Sequence, residues 1–201
     1  MSPSELLTGH LGDPMSYDNE RDLVIAAKVN PEAFGELYEK YVARIYNYHY
    51  RHTSNRTEAE DLSSRTFYRA LRSLQSYRET GAPFQAWLFR IAHNLVVNWY
   101  RDHQNRPTVS IDVEDAPRLI SSIVSPETWV STAETQQKLL KVIESLPKDR
   151  KALIILKFVD HMSNAEIAEI LGRTEGAIKA LYHRTLISLK RAMSEGAGDV
   201  Q

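Results

Sequence analysis

The sequence predicts an all-α fold of two small helical domains joined by a flexible linker, the carboxy-terminal one a helix-turn-helix. Three observations carry that expectation. Apolar residues recur along most of the chain at the i, i+3, i+4, i+7 spacing of an amphipathic helix. No run of alternating apolar and polar residues is bounded by hairpin turns, so no strand is expected. Between residues 104 and 130 three prolines interrupt a tract without sustained periodicity, which marks a linker. The boundaries expected are a loose leader at 1–17, a first domain at 18–103, the linker at 104–130, a second domain at 131–193 and a tail at 194–201.

The first domain opens with a helix from Asp18, packing Leu23, Val24, Ala27 and Ile25 and broken at Asn30-Pro31. After Pro31 the set Phe34, Leu37, Tyr38, Tyr41, Val42, Ile45 and Tyr48 keeps helical spacing over four turns. The polar tract His49 to Asn55 reads as a turn, and Thr57 as the cap of a third helix whose first turn carries Glu58, Glu60 and Asp61. That helix continues through Leu62, Phe67, Ala70, Leu71 and Leu74, with Arg65, Arg69 and Arg72 on its wetter side. Gly81 and Pro83 make Tyr77 to Pro83 a loop. A fourth helix, about Phe84 to His103, turns Trp87, Leu88, Ile91, Ala92, Leu95 and Trp99 inward and leaves Arg90, Asn94, Asn98 and Arg101 outside.

In the second domain a helix from about Thr132 to Ser145 is followed by Leu146-Pro147 and a helix carrying Ala152, Leu153, Ile155, Leu156 and Phe158. Ser163 with Glu166 three residues on is a capping-box start, and Gly172 ends the short helix it opens. Thr174 caps the last helix, whose inner stripe is Ile178, Leu181, Tyr182, Thr185 and Leu189. The opposite side carries Gly176, Ala180 and His183 flanked by Arg173, Lys179 and Arg184. A face that is small at its first turn and basic around it suits entry into a major groove, and the pattern alone equally fits an ordinary helical hairpin.

Charge separates those readings. From Arg173 to Arg191 five bases stand against Glu175, and from Arg65 to Arg106 seven arginines stand against Glu79 and Asp102, on a chain of formal net charge −1. Two basic patches on an acidic background suggest two contacts with nucleic acid and acidic surface for a protein partner.

Composition bounds the rest. With 42% hydrophobic and 25% charged residues the chain is an ordinary globular one, not a disordered one. The absence of cysteine excludes disulfides and thiolate metal sites. No apolar run approaches a membrane span and the start of the chain lacks a signal-peptide pattern, so a cytoplasmic protein is expected. Gly172 to Gly176 lacks the lysine and spacing of a nucleotide loop. The seven histidines show no ligand spacing beyond His49 with His52, which read as surface residues near a helix end. Neither a cofactor, a metal nor an enzymatic activity is expected.

Two blocks carry a resemblance. Ala59-Glu60-Asp61-Leu62, Thr66-Phe67, Arg69-Ala70 and Phe84-Gln85-Ala86-Trp87-Leu88-Phe89-Arg90-Ile91-Ala92-His93-Asn94 resemble the second region of bacterial sigma factors of the extracytoplasmic function (ECF) group. Ser125-Pro126-Glu127, Leu146-Pro147, Arg150, the stretch Ser163 to Gly172 and His183-Arg184 resemble that group's fourth region. The resemblance covers about residues 18 to 193. It implies a dissociable subunit of bacterial RNA polymerase that selects promoters and helps to melt them.

In such proteins the fourth region reads the minus-thirty-five element as duplex, and the matching helix here offers Arg173, Glu175, Gly176, Lys179, Ala180, His183 and Arg184. The second region captures the non-template strand of the minus-ten element, and the matching residues are Tyr77, Arg78, Thr80, Ala82, Pro83, Phe84, Arg90, Asn94, Asn98 and Arg101. Tyr77 and Phe84 are expected to meet unstacked bases, Trp87 and Trp99 to pack. The resemblance further implies contacts with core RNA polymerase through its clamp helices and flap, with Asp61, Leu62, Arg65 and Arg69 as candidates, and a monomer when free of polymerase. An anti-sigma factor is a further partner common in the group.

One departure stands out: the group places Gln and an acid before the Thr-Phe pair, and this chain has Ser64-Arg65. The rival from another class is a stand-alone helix-turn-helix regulator, or a sigma-like decoy for an anti-sigma factor. Retention of both basic patches and the loop favours the sigma reading.

Overall fold

A computed structural model describes residues 19–78, 82–103 and 133–195, and every regular element among them is helical. Three asparagines start the first three helices. Asn19 accepts from the Asp22 amide to open α1, Glu20–Ala27, and Asn30 accepts from the Glu32 amide to open α2, Pro31–Thr53, with Pro31 in the first turn where no intrahelical donor is needed. Asn55 opens α3, Arg56–Ser73, by accepting from Glu58 N at 3.2 Å. Asn55, not Thr57, is therefore the cap. Ser54, left-handed at φ 50°, turns the chain so that Asn55 is extended, while Thr57 already lies inside the first turn.

The tract from His49 is also not a turn. α2 continues to Thr53, because His49 and His52 are buried among neighbouring helices. His49 Nε2 lies 2.9 Å from Thr66 Oγ1 on α3, and His52 Nδ1 lies 3.2 Å from the Tyr100 hydroxyl. Burial pulls His49 down to about 3 and holds His52 well below its ordinary value, so both are neutral rings that pack as apolar groups.

A short turn, Leu74–Ser76, leads to α4, Phe84–Asp102. The fully buried Leu37, Tyr41, Ile45 and Tyr48 of α2 form the spine against which α1, α3 and α4 pack. Three residues placed on apolar stripes by spacing remain largely exposed: Ile25, Tyr38 and Leu71.

The second unit comprises α5, Ala133–Glu144; α6, Lys148–Ile154, extended by a π-helical turn over Ile155–Val159; α7, Asn164–Leu171; and α8, Glu175–Glu195. The Ser163–Glu166 capping box is formed in both directions, and Gly172 ends α7 at φ 62°, a conformation only glycine adopts without strain. Thr174 Oγ1 accepts from Ala177 N at 3.2 Å, the expected cap of α8. Leu139, Ile143, Ile154 and Leu189 make a small core joining α5, α6 and α8.

The larger core does not stop at the first unit. α7 lies against α4, and Leu88, Phe89, Ala92 and Val96 belong to one apolar cluster with Met162, Ile167, Ala168 and Ile170. Phe89 and Val96 fall outside the stripe predicted for α4; Phe89 packs on Tyr48 of α2 at 5.5 Å, and α7 lies against α4 as well, so that helix has a second buried flank.

Candidate promoter-DNA and polymerase interfaces

On α8 the inner stripe of Ile178, Leu181, Thr185 and Leu189 is buried, which fixes the helix's rotation. All seven residues expected to meet duplex, Arg173, Glu175, Gly176, Lys179, Ala180, His183 and Arg184, are exposed. Two of the cations are held in place. Arg173 donates to Asp149 at the start of α6, and Lys179 pairs with Glu175 one turn back at 2.9 Å. A Cβ built on Gly176 meets nothing within 4 Å, so that surface is open to close approach.

On α4 the exposed ridge is Arg90, Asn94, Val97 and Arg101, with Asn98 half-buried beside it. Spacing alone placed all but Val97 outside. Arg90 Nη1 is 2.5 Å from the Glu169 carboxylate of α7, and Arg101 lies 3.6 Å from its neighbour Asp102. Asn94 and Ile91 form one wall of an open groove of about 630 Å³ whose other wall is Arg65, Tyr68, Arg69 and Arg72 of α3. The Arg72 guanidinium lies 5.8 Å above the Tyr68 ring.

The loop that precedes α4 corrects part of the expectation. Tyr77 and Phe84 are only 7% and 3% exposed, packed edge-on at 5.7 Å and both against Trp87, so they are a floor and not free stacking platforms. Their rings are committed to each other, to Trp87 and, for Phe84, to Tyr41 of α2. Together with Val24, Ile25 and Lys28 of α1 and with Arg78 and Pro83, they line a cavity of about 440 Å³. Lys28 Nζ donates to the Tyr77 carbonyl at 2.7 Å, tying α1 to this loop. Ala82 and Pro83 are half-buried, Arg78 is exposed, and Thr80 lies outside the described residues. Trp99, expected to pack, is buried and donates Nε1 to Glu58 at 2.8 Å.

Of the residues expected to grip polymerase, Asp61, Arg65 and Arg69 are exposed, and Asp61 pairs with Arg65 at 3.3 Å. Leu62 is 2% exposed, packed with Leu95 and Trp99, and offers no surface to a partner. Tyr68 and Leu71 of α3 and Tyr38 of α2 are exposed instead, Tyr68 lining the same groove as Arg65. Spacing placed Tyr38 and Leu71 on apolar stripes, so both read as buried, and Tyr68 was not singled out.

Comparison with known proteins shows the family. Residues 37–106 match the Sigma-70 region 2 family, and residues 136–189 match the family described as Sigma-70, region 4. The chain is 30% identical over 176 residues to the ECF RNA polymerase sigma factor SigW of Bacillus subtilis, covering 84% of this chain and 92% of that one. It is 34% identical over 170 residues to the ECF sigma factor BldN of Streptomyces coelicolor, spanning 83% of this chain and 62% of the relative's length. Its fold resembles that of CnrH, solved with the cytosolic domain of CnrY, at TM-score 0.63 and 21% identity over 87% of this chain and 97% of that one. It also resembles RpoE of Bartonella quintana, solved with the anti-sigma factor NepR, at TM-score 0.58 and 22% identity over 81% of this chain and 98% of that one. None of the described helices is long and apolar enough to cross a membrane. The chain belongs to the ECF sigma factors, the promoter-recognising initiation factors of bacterial RNA polymerase.

Proposed function

We propose that the chain associates with core RNA polymerase, reads an upstream duplex element with α8 and holds the melted strand of a downstream element along α4, releasing polymerase to initiate at one class of promoter. The observation that carries the reading is the presence of two exposed, arginine- and lysine-bearing helix faces, one on each family region, with the opposite side of each helix buried.

On α8, Gly176, Ala180 and the base-edge reach of Glu175 and His183 supply sequence readout, while Arg173, Lys179 and Arg184 neutralise phosphates. On α4, Arg90 and Arg101 meet phosphates, and Asn94 and Asn98 hydrogen-bond bases. The cavity beside Tyr77 and Phe84 offers an apolar floor with Lys28 and Arg78 nearby, which suits an extruded base followed by its phosphate. Stacking contributes about 1 to 3 kcal/mol per base, so a few such contacts help offset strand opening. The exposed side of α3, with Asp61, Arg65, Tyr68 and Leu71, is assigned to polymerase. A sigma factor activates by binding; the carboxylates and histidines here take part in no reaction.

The test is in-vitro transcription by purified core polymerase on a genomic fragment library, with and without the protein. New start sites sharing two spaced upstream motifs are expected. Tight binding of duplex without polymerase, and no new starts, would move the assignment to a stand-alone regulator. Binding of an anti-sigma factor alone would move it to a decoy.

A further inference from the structure

The outer face of α8 carries one residue whose charge is wrong for a polyanion. From Arg173 to Arg191 Glu175 is the single acid among five bases. It stands in the first turn, at the end of a reading helix that approaches base edges first. A carboxylate brought against duplex meets a phosphate charge about every 1.7 Å of helix axis. Its presence there weakens binding to every sequence alike unless a group on the duplex donates to it.

The surroundings of Glu175 present its carboxylate outward. The helix start does not draw on it, because Thr174 is the cap and accepts from the Ala177 amide at 3.2 Å. Lys179, one turn on, donates to Glu175 Oε1 at 2.9 Å, and both side chains stay open to solvent. An ammonium has three donors, so Lys179 is able to hold the carboxylate and a phosphate at once. Beside this pair the face is cut away. A Cβ built on Gly176 meets nothing within 4 Å, and the exposed side chain of Ala180 ends at its Cβ. A helix with its side chains is about 10–12 Å across and the major groove about 12 Å wide, so trimming at these two positions lets the first turn sink towards the base edges.

We propose that Glu175 is a specificity-determining residue that selects cytosine at one position of the upstream element. The inference rests on the duplex reading of α8 given above and names the base it takes. In the major groove guanine shows N7 and O6 and thymine shows O4, all acceptors that repel a carboxylate. Only cytosine, through its N4 amino group, and adenine, through N6, present donors. Adenine sets its N7 acceptor beside N6, and a carboxylate has no proton to give it. Cytosine is the base whose N4 donates to Glu175 without placing a lone pair of its own against it. An acid in a first turn also complements the helix dipole, but that role asks nothing of the duplex and gives no base preference.

The test uses the chain loaded on core polymerase and a promoter library whose upstream element is randomised. Sequenced transcripts give the base preference at each position for the unchanged chain, Glu175→Ala and Glu175→Gln. The unchanged chain is expected to prefer cytosine over thymine at one position by about tenfold. Glu175→Ala should flatten that position and leave the others as they were. Glu175→Gln should turn the preference to adenine, because an amide both accepts from N6 and donates to N7. Glu175 is exposed and the Thr174 cap is untouched, so both variants keep the fold. The proposal is overturned if both variants retain the unchanged chain's preference at every position. It is equally overturned if they alter yield on all sequences by one common factor, which marks a carboxylate acting as charge alone. In either case the unchanged chain still selects an upstream sequence, and the duplex reading of α8 stands. An unchanged chain that selects no upstream sequence fails at that reading, and the assignment of Glu175 falls with it.

Discussion

α4 and α8 are both long amphipathic helices proposed above to meet nucleic acid, yet they reach the surface differently. α8 is packed on one side only, against helices of its own unit, and its outer half is open from Arg173 to Lys190. α4 is packed by α1, α2 and α3 on one side and by α7 on another, leaving a narrow ridge whose first cation pairs with a carboxylate of the other unit, whereas Arg173 and Lys179 pair within their own. The difference teaches that a reading helix with local packing is ready to bind as it stands. A reading helix that also serves as a docking wall is coupled to whatever leaves that wall.

The largest effect is expected where the wall is thickest. Phe89 is fully buried at the junction of both units, so Phe89→Ala should cost about 3–5 kcal/mol, read by urea denaturation. Leu189→Ala, in the small core of α5, α6 and α8, should cost about 2–5 kcal/mol. If the units fold as one body, both variants shift a single cooperative transition. Separate transitions, with Phe89→Ala moving only one, would break the comparison by showing that α7 adds nothing to α4.

Acid should act on the first unit before the second. His49 is pulled down to about 3 by burial, and His52 is held low first by burial and then by its basic neighbours, among them the charged Lys151 and Arg51. His93, whose Nδ1 is 3.0 Å from the Tyr48 hydroxyl, is lowered by burial and partly restored by Asp149. Depressed histidines leave stability independent of pH above about 6.5; below it only the unfolded chain takes up the protons. Stability then falls by about 1.4 kcal/mol per pH unit for a ring held neutral, roughly 2 kcal/mol for His49 by pH 5, and His52 and His93 act in the same direction. Denaturation midpoints measured from pH 7.5 to 5 should fall steadily, and His49→Phe should flatten the slope. A midpoint constant over that range would mean the rings are hydrated.

Much of this architecture was legible. The capping box at Ser163, the glycine stop at 172 and the single inner stripe of α8 are local devices, and local devices are written in adjacent residues. The outer face of α8 followed directly, because only one side of that helix is packed. What escaped depends on distant partners. Phe89 and Val96 look like surplus apolar residues until neighbouring helices enclose them, Phe89 against Tyr48 of α2, and His49 and His52 look like a turn until Thr66 and Tyr100 receive them. Tyr77 and Phe84 were expected to be free because they flank a loop. Closure of that loop against Trp87 buries them, and the candidate base site becomes the cavity they floor together with α1.

Loss of one charge should separate the two helices further. Lys179→Ala and Arg184→Ala each should lower the salt slope of duplex binding by about one, with little change in fold, since Lys179 makes only an exposed pair with Glu175 worth about 0.3–0.5 kcal/mol. Titration of the duplex at several salt concentrations reads this directly. An unchanged slope would place both side chains away from phosphates.

The smallest effect on stability discriminates most sharply. Gly176 sits in the first turn of α8, exposed, with helical backbone and room for a Cβ. Gly176→Ala should therefore stabilise the isolated chain, by no more than about 1 kcal/mol, because alanine loses less backbone entropy on entering a helix. On duplex the same methyl stands where the helix must come closest to base edges, so affinity for the upstream element should fall while affinity for core polymerase is unchanged. Stability and binding then move in opposite directions from a single added carbon, which a fold defect cannot mimic. If both rise together, the first turn of α8 keeps its distance from the groove and readout begins further along, at Lys179 and His183.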